Sequence, residues 1–174
     1  MNRHLWIGIL AALTLAGCAS RPKDPDPMAF DGPPPDFAVA ATVYAPPPAS
    51  AAEPPPPRPL RPARYVLDAD LVLHSALGPG LDETTFPPQT RRISQRDADR
   101  LWRLIRDSGL LDPGSPHRVD AAETYTPRPD RTSAVLTVSY AGVRRSCRIL
   151  MDDDGSVPGR GVIDELALLA WVGR

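Results

Sequence analysis

Alternation dominates the second half of the chain. From Thr132 to Tyr140, Ala134, Leu136 and Val138 alternate with Val135, Thr137 and Ser139. Ala141-Gly142 supplies a turn, and Val143 to Leu150 returns. Period-two patterning on both sides of a tight turn predicts a β-hairpin. On the returning strand Val143, Arg145, Cys147 and Ile149 share one face, so Cys147 is expected to be a small buried apolar residue. A second hairpin is predicted over Arg64 to His74, where two short apolar runs flank Asp68-Ala69-Asp70. Aspartates favour turns because their carboxylates accept from nearby backbone amides. Phe37 to Tyr44 lacks proline, glycine and charge and ends in Thr42, Val43 and Tyr44, good strand formers. It is expected to join the same sheet.

The period changes at Ser94. Ala98, Leu101, Trp102 and Ile105 recur at helical spacing, and Arg96, Arg100, Arg103 and Asp107 fall on other faces. Ser94 and Asp97 have the spacing of a capping box, and Gly109 suits the left-handed residue past the end, so a helix is predicted over 94–108. A second helix is predicted from Gly161 to Val172, with Asp164 and Glu165 near its start and Leu168 and Trp171 widening the apolar face. The order strand, hairpin, helix, hairpin, helix predicts an α+β domain over 36–174. Its antiparallel sheet has about five strands, with two helices packed on one face. Segments 78–90 and 112–131 read as loops, the second long enough to be either mobile or functional.

Composition changes the picture at the N-terminal side. The chain has 174 residues and 23 prolines. They are dense in residues 19–35, which should be a disordered tether with a reach of roughly 50 Å as polyproline II. A second cluster, within 45–62, reads as a loop internal to the domain. Pro56, Pro59 and Arg61 have the spacing of a proline-rich ligand, with a stiff loop as the plainer reading.

Formal net charge is −1, so neither nucleic acid nor an electrostatically bound membrane is an expected partner. Metal chemistry lacks ligands at useful spacing: His74 and His117 are isolated, and Asp152-Asp153-Asp154-Gly155 is contiguous where calcium loops alternate ligands with spacers. Asp68 and Asp70 are paired carboxylates that turn chemistry explains, and Ser94 reads as a cap. Gly78 and Gly80 lack the setting of a phosphate loop; Gly159 and Gly161 precede a helix, where weak anion binding is conceivable. No catalytic residue, metal or cofactor is therefore expected. A pocket holding Asp68, Asp70 or His117 with shifted pKa values would revive an enzyme reading.

The first eighteen residues carry the address. Arg3 and His4 give a short basic start, and Leu5 to Ala16 form an apolar run too short for the ~30 Å hydrocarbon core of a bilayer. The run closes on Leu15-Ala16-Gly17-Cys18, which resembles the lipobox of bacterial lipoprotein signal peptides. That resemblance implies removal of residues 1–17 and lipidation of Cys18. It also implies a chain held in the cell envelope, with Ala19 pointing to the outer membrane, facing the periplasm. Cys147 is then left without a partner, since the chain has only two cysteines.

From Tyr65 onward, the chain runs hairpin, Ser94-capped helix ending in Gly109-Leu110-Leu111, proline-rich loop, hairpin and final helix. This order resembles emfourin-type inhibitors of thermolysin-like metalloproteases over roughly 110 residues. The resemblance lies in pattern, so no inhibitory residue is carried over. The 112–131 loop would be the contact surface. The expectation is a lipid-anchored envelope protein whose non-catalytic domain binds an envelope protein or serves structure, with metalloprotease inhibition as the alternative.

Overall fold

A computed structural model of the chain describes residues 25–47, 50, 54–119, 125–151 and 157–171. It contains β1 (Ala38–Tyr44), β2 (Ala63–Leu67), β3 (Val72–Leu77), β4 (Gln89–Arg92), α1 (Gln95–Asp107), β5 (Arg118–Val119), β6 (Ser133–Tyr140), β7 (Val143–Leu150) and α2 (Arg160–Leu169). The strands form one antiparallel sheet in the order β4-β3-β2-β1-β6-β7-β5. The α+β class is as expected, but the described sheet has seven strands and not five. The two extra strands lie at its edges. β4 reads Gln-Thr-Arg-Arg and has no apolar alternation, and β5 is two residues long. Neither leaves a hydrophobic period to detect, although short polar edges are one way a sheet avoids pairing with other chains.

β1 sits in the middle, paired with β2 on one side and β6 on the other. Its period-two pattern sends Val39, Ala41 and Val43 into the core together with Tyr65, Leu67, Leu136, Val138 and Ile149. Both helices lie over this face. α1 buries Ala98, Leu101, Trp102 and Ile105, the stripe expected from the sequence, and Ser94 with Asp97 forms the capping box. Trp102 is fully buried, with Phe37 and Tyr140 at ring centroid distances of 5.3 and 5.6 Å.

α2 begins one residue earlier than expected and ends three residues sooner. Glu165 is thereby moved beyond the first turn, where it is buried and pairs with Arg100 at 3.4 Å. Leu168 and Trp171, expected to deepen the burial, are 60 % and 49 % exposed. The guanidinium of Arg58 lies over the Trp171 ring instead, 3.0 Å from its centroid.

The expected disordered tether over 18–35 ends sooner than its composition suggested. Pro25 to Asp36 is laid against the domain. Pro27 and Pro34 are buried, and the Phe30 ring meets Trp102 edge-on at 6.4 Å. The Phe30 carbonyl accepts from Trp102 Nε1 and an Arg106 nitrogen, each at 3.3 Å. Asp36 closes the segment by accepting from the backbone amides of Ala141 and Gly142 at 2.8 and 2.6 Å. Prolines forbid helix and ladder but do not forbid packing, and a few well-placed apolar groups suffice to fix an irregular segment. Residues 1–24, with Cys18 and the signal segment, lie outside the described residues.

The second face of the sheet carries polar and small residues, among them buried Thr42, Arg64, Thr137 and Ser146. Irregular chain reaches over it. Arg64 donates to the carbonyls of Glu83 and Thr85 at 3.2 and 3.4 Å and to Thr42 Oγ1 at 2.9 Å. Thr137 and Ser146 hydroxyls pair at 3.0 Å. Among the described residues no helix is long and apolar enough to cross a membrane.

Candidate functional site

Irregular segments meet at the end of the sheet where β1 stops and β2 starts: 45–47 with 54–62, 78–88, and 125–131. Between them lies an open cleft of about 880 Å³, lined by Ala45, Pro46, Pro47, Pro54, Pro56, Leu60, Arg61, Pro62, Leu77, Gly78, Pro79 and Thr132. A smaller cleft of about 260 Å³ shares Ala45, Pro46, Pro47, Pro62 and Pro79 and continues past Tyr44 and Leu81 to Pro127, Arg128 and Pro129. Proline supplies a wall of fixed shape that carries no amide hydrogen, so these walls offer carbon surface and carbonyl acceptors. Leu77 is 64 % exposed at the rim. Among the described residues that line the larger cleft, Arg61 is the ionisable one. Its Nε donates to the Pro56 carbonyl at 2.8 Å, so the same side chain braces the wall and gives the site positive charge.

Under the smaller cleft, Tyr44 donates its hydroxyl to Glu83 Oε2 at 2.6 Å. Burial, then the Glu83 hydrogen bond and negative charge, hold the phenol well above its ordinary range, so Tyr44 stays protonated at neutral pH. Burial lowers the Arg64 pKa, with Glu83 opposing the shift. Arg64, Thr42 and the 82–85 backbone thus form a clamp that holds the loop to the sheet. Glu83 Oε1 and Ser133 Oγ are buried polar atoms without a hydrogen-bond partner among the described residues. Ser133 is opposite Tyr44 in the β1–β6 register. Leaving such an atom unsatisfied costs about 1–3 kcal/mol, which favours a ligand or solvent able to supply the missing bonds.

The residues weighed from sequence do not converge on this site. Asp68 pairs with His74 at 3.2 Å, whereas Asp70 faces Arg92 at 3.6 Å and accepts from the Val72 amide at 3.4 Å. The two aspartates of the β2–β3 turn therefore serve different partners. His117 offers its backbone carbonyl to the Arg148 amide at 2.7 Å. Cys147 is 1 % exposed, and its thiol donates to the Leu110 carbonyl at 3.1 Å. Burial pushes its pKa up to about 11, outweighing the pull of Arg118 and Arg145. Ser94 is the α1 cap. Gly159 has φ +85°, and a Cβ there would run into Leu110 and Ile149, so packing accounts for it without an anion. Among the described residues no group of three or more His, Cys, Asp or Glu could hold a metal ion. Asp152 to Asp154 lie outside the described residues.

Pro54 to Arg58 are exposed, and the 54–62 segment does not run straight. It folds back through a 3-10 turn at Arg58–Leu60, and Pro56 and Arg61 line the cleft. Comparison with protein-family models, curated proteins and solved structures finds no match to this chain. The cleft was not visible in the sequence because its walls come from three separate segments. The one available signal was the return of proline clusters after β1, before β2 and near residues 127–129.

Proposed function

We propose that this chain is a lipid-anchored protein of the bacterial envelope, attached through Cys18, whose α+β domain binds a ligand without chemically transforming it. The lipobox-like Leu15-Ala16-Gly17-Cys18 supports the anchor. The observation that carries the binding role is the make-up of the cleft: proline and aliphatic walls with one arginine among the described lining residues, at a volume within the ~300–1,000 Å³ typical of small-molecule sites. A wall of carbon with one cationic group suits an amphiphile, apolar over most of its length and anionic at one end. The outer membrane, facing the periplasm, is the proposed location.

The test uses residues 25–174 and anilinonaphthalene sulfonate, an apolar aromatic anion. Saturable one-to-one fluorescence enhancement is expected, weakened by Arg61→Ala and by Leu77→Glu without loss of the folded state by circular dichroism. Enhancement that never saturates, or that ignores both substitutions, refutes the cleft as the site. Anchoring is read separately: labelled palmitate should be incorporated by the natural chain and not by Cys18→Ser.

A further inference from the structure

The chain arrives at the domain on a fixed path. Asp26 accepts from the Met28 amide at 2.9 Å and caps the 3-10 turn Pro27–Ala29. The Tyr140 hydroxyl reaches the Pro25 carbonyl at 3.5 Å. With Phe30 and Asp36 fastened as described above, slack can exist only before Pro25. Even fully extended, the stretch from Cys18 to Pro25 spans at most ~25 Å. A compact domain of this size has a radius of gyration of ~15 Å, so the stretch before Pro25 is shorter than the domain is wide.

The sheet then gives the domain two distinct ends. At the arrival end lie the start of β1, Tyr140 at the end of β6, and the Ala141-Gly142 turn clamped by Asp36. β1 leads away from it for roughly 20 Å at the usual strand rise. At its far end Ala45 enters the cleft, where Thr132, just before β6, also lies. The arrival end bears Met28, 62 % exposed, in the Pro27–Ala29 turn that Asp26 caps.

We infer that the arrival end of the domain, with Met28 and the Ala141-Gly142 turn, lies against phospholipid headgroups, and that the proline-walled cleft opens away from the bilayer. The inference rests on the proposed lipidation of Cys18; the short leash then supplies the orientation, and exposed Met28 supplies an apolar contact for the interface.

The experiment uses the lipidated full mature chain in vesicles of phosphatidylethanolamine and phosphatidylglycerol. A thiol-reactive fluorophore is placed at Met28→Cys or at Leu77→Cys. Native Cys147 is buried and stays unlabelled. Lipids carrying a nitroxide at the headgroup should quench the label at 28 several-fold more than the label at 77. A long Gly/Ser insertion between Lys23 and Asp24 should bring the two signals together. Equal quenching in the uninserted, vesicle-bound chain overturns the orientation. A bias that survives the insertion overturns the leash as its cause. A chain that does not float with vesicles overturns the anchoring itself, and flotation is measured before quenching, so the two failures are told apart.

Discussion

Replacing Gly159 by alanine tests how tightly the core holds the start of α2. Gly159 is the residue before the helix and has φ +85°, a region that costs an L-residue about 1–2 kcal/mol. The added methyl would collide with Leu110 Cδ1 and come within 2.9 Å of Ile149 Cδ1. Neither neighbour has room to withdraw, since Leu110 is 1 % and Ile149 0 % exposed. Overpacking of this kind costs a further 1–3 kcal/mol, so Gly159→Ala should lose roughly 2–5 kcal/mol in all. Gly80 provides the control: its φ is +80°, and a Cβ there meets nothing within 4 Å. Gly80→Ala should therefore show the backbone part alone, about 1–2 kcal/mol. Urea unfolding of residues 25–174, followed through Trp102 fluorescence, measures both. Equal losses for the two variants would refute the packing argument, and a Gly159→Ala loss below that of Gly80→Ala would refute the placement of α2 as well.

Phe30→Ala should cost about 1–3 kcal/mol, from lost apolar burial and the edge-on contact with Trp102, and amide exchange should rise over 25–36 first; an unchanged urea midpoint would show that the segment does not belong to the folded unit. The Asp36 carboxyl is held below its ordinary value of 3.8, first by the Gly142 amide and then by that of Ala141. Its contribution to stability is thus present above that value and lost as pH falls through the lower folded-state value. Asp36→Asn should flatten the acid limb of a stability–pH curve, and an acid limb identical to that of the natural chain counts against the clamp. Cys147, with its thiol pushed up to about 11, should react with a disulfide reagent at pH 8 only after denaturant is added; stoichiometric reaction in the folded chain within minutes contradicts its burial.

Most of the framework was legible wherever one face of an element had to be apolar. α1 announced itself through Ser94, Asp97 and the Ala98–Ile105 stripe because capping and packing both leave marks at fixed spacing. The β6–β7 hairpin did the same through alternation around Ala141-Gly142. β4 could not be read, since its Gln-Thr-Arg-Arg run gains its partners from β3 and buries no side chain deeply. The 25–36 segment failed for a related reason. Phe30, Pro27 and Pro34 form no period, and what fixes Phe30 is the indole and guanidinium of distant Trp102 and Arg106. At the candidate site, Arg61 and its prolines were noticed as a linear motif. In their facing wall, Gly78 and Pro79 read as the start of a loop and Leu77 falls just outside it, with no sign that the two sides would meet.

The central position of β1 has a consequence for how the molecule comes to be folded. The strand at the middle of the sheet is made before the other described strands, yet one of its two neighbours is β6, far along the chain. β2 and β3 can pair with β1 as soon as they emerge. The opposite edge of β1, a row of unpaired backbone N–H and C=O groups, stays open until β6 has been made. Pairings this distant in sequence close slowly, and an uncovered apolar strand edge is where chains pair wrongly. Folding of this protein should thus be gated by the arrival of β6, and chains ending before Ser133 should aggregate where the complete chain folds.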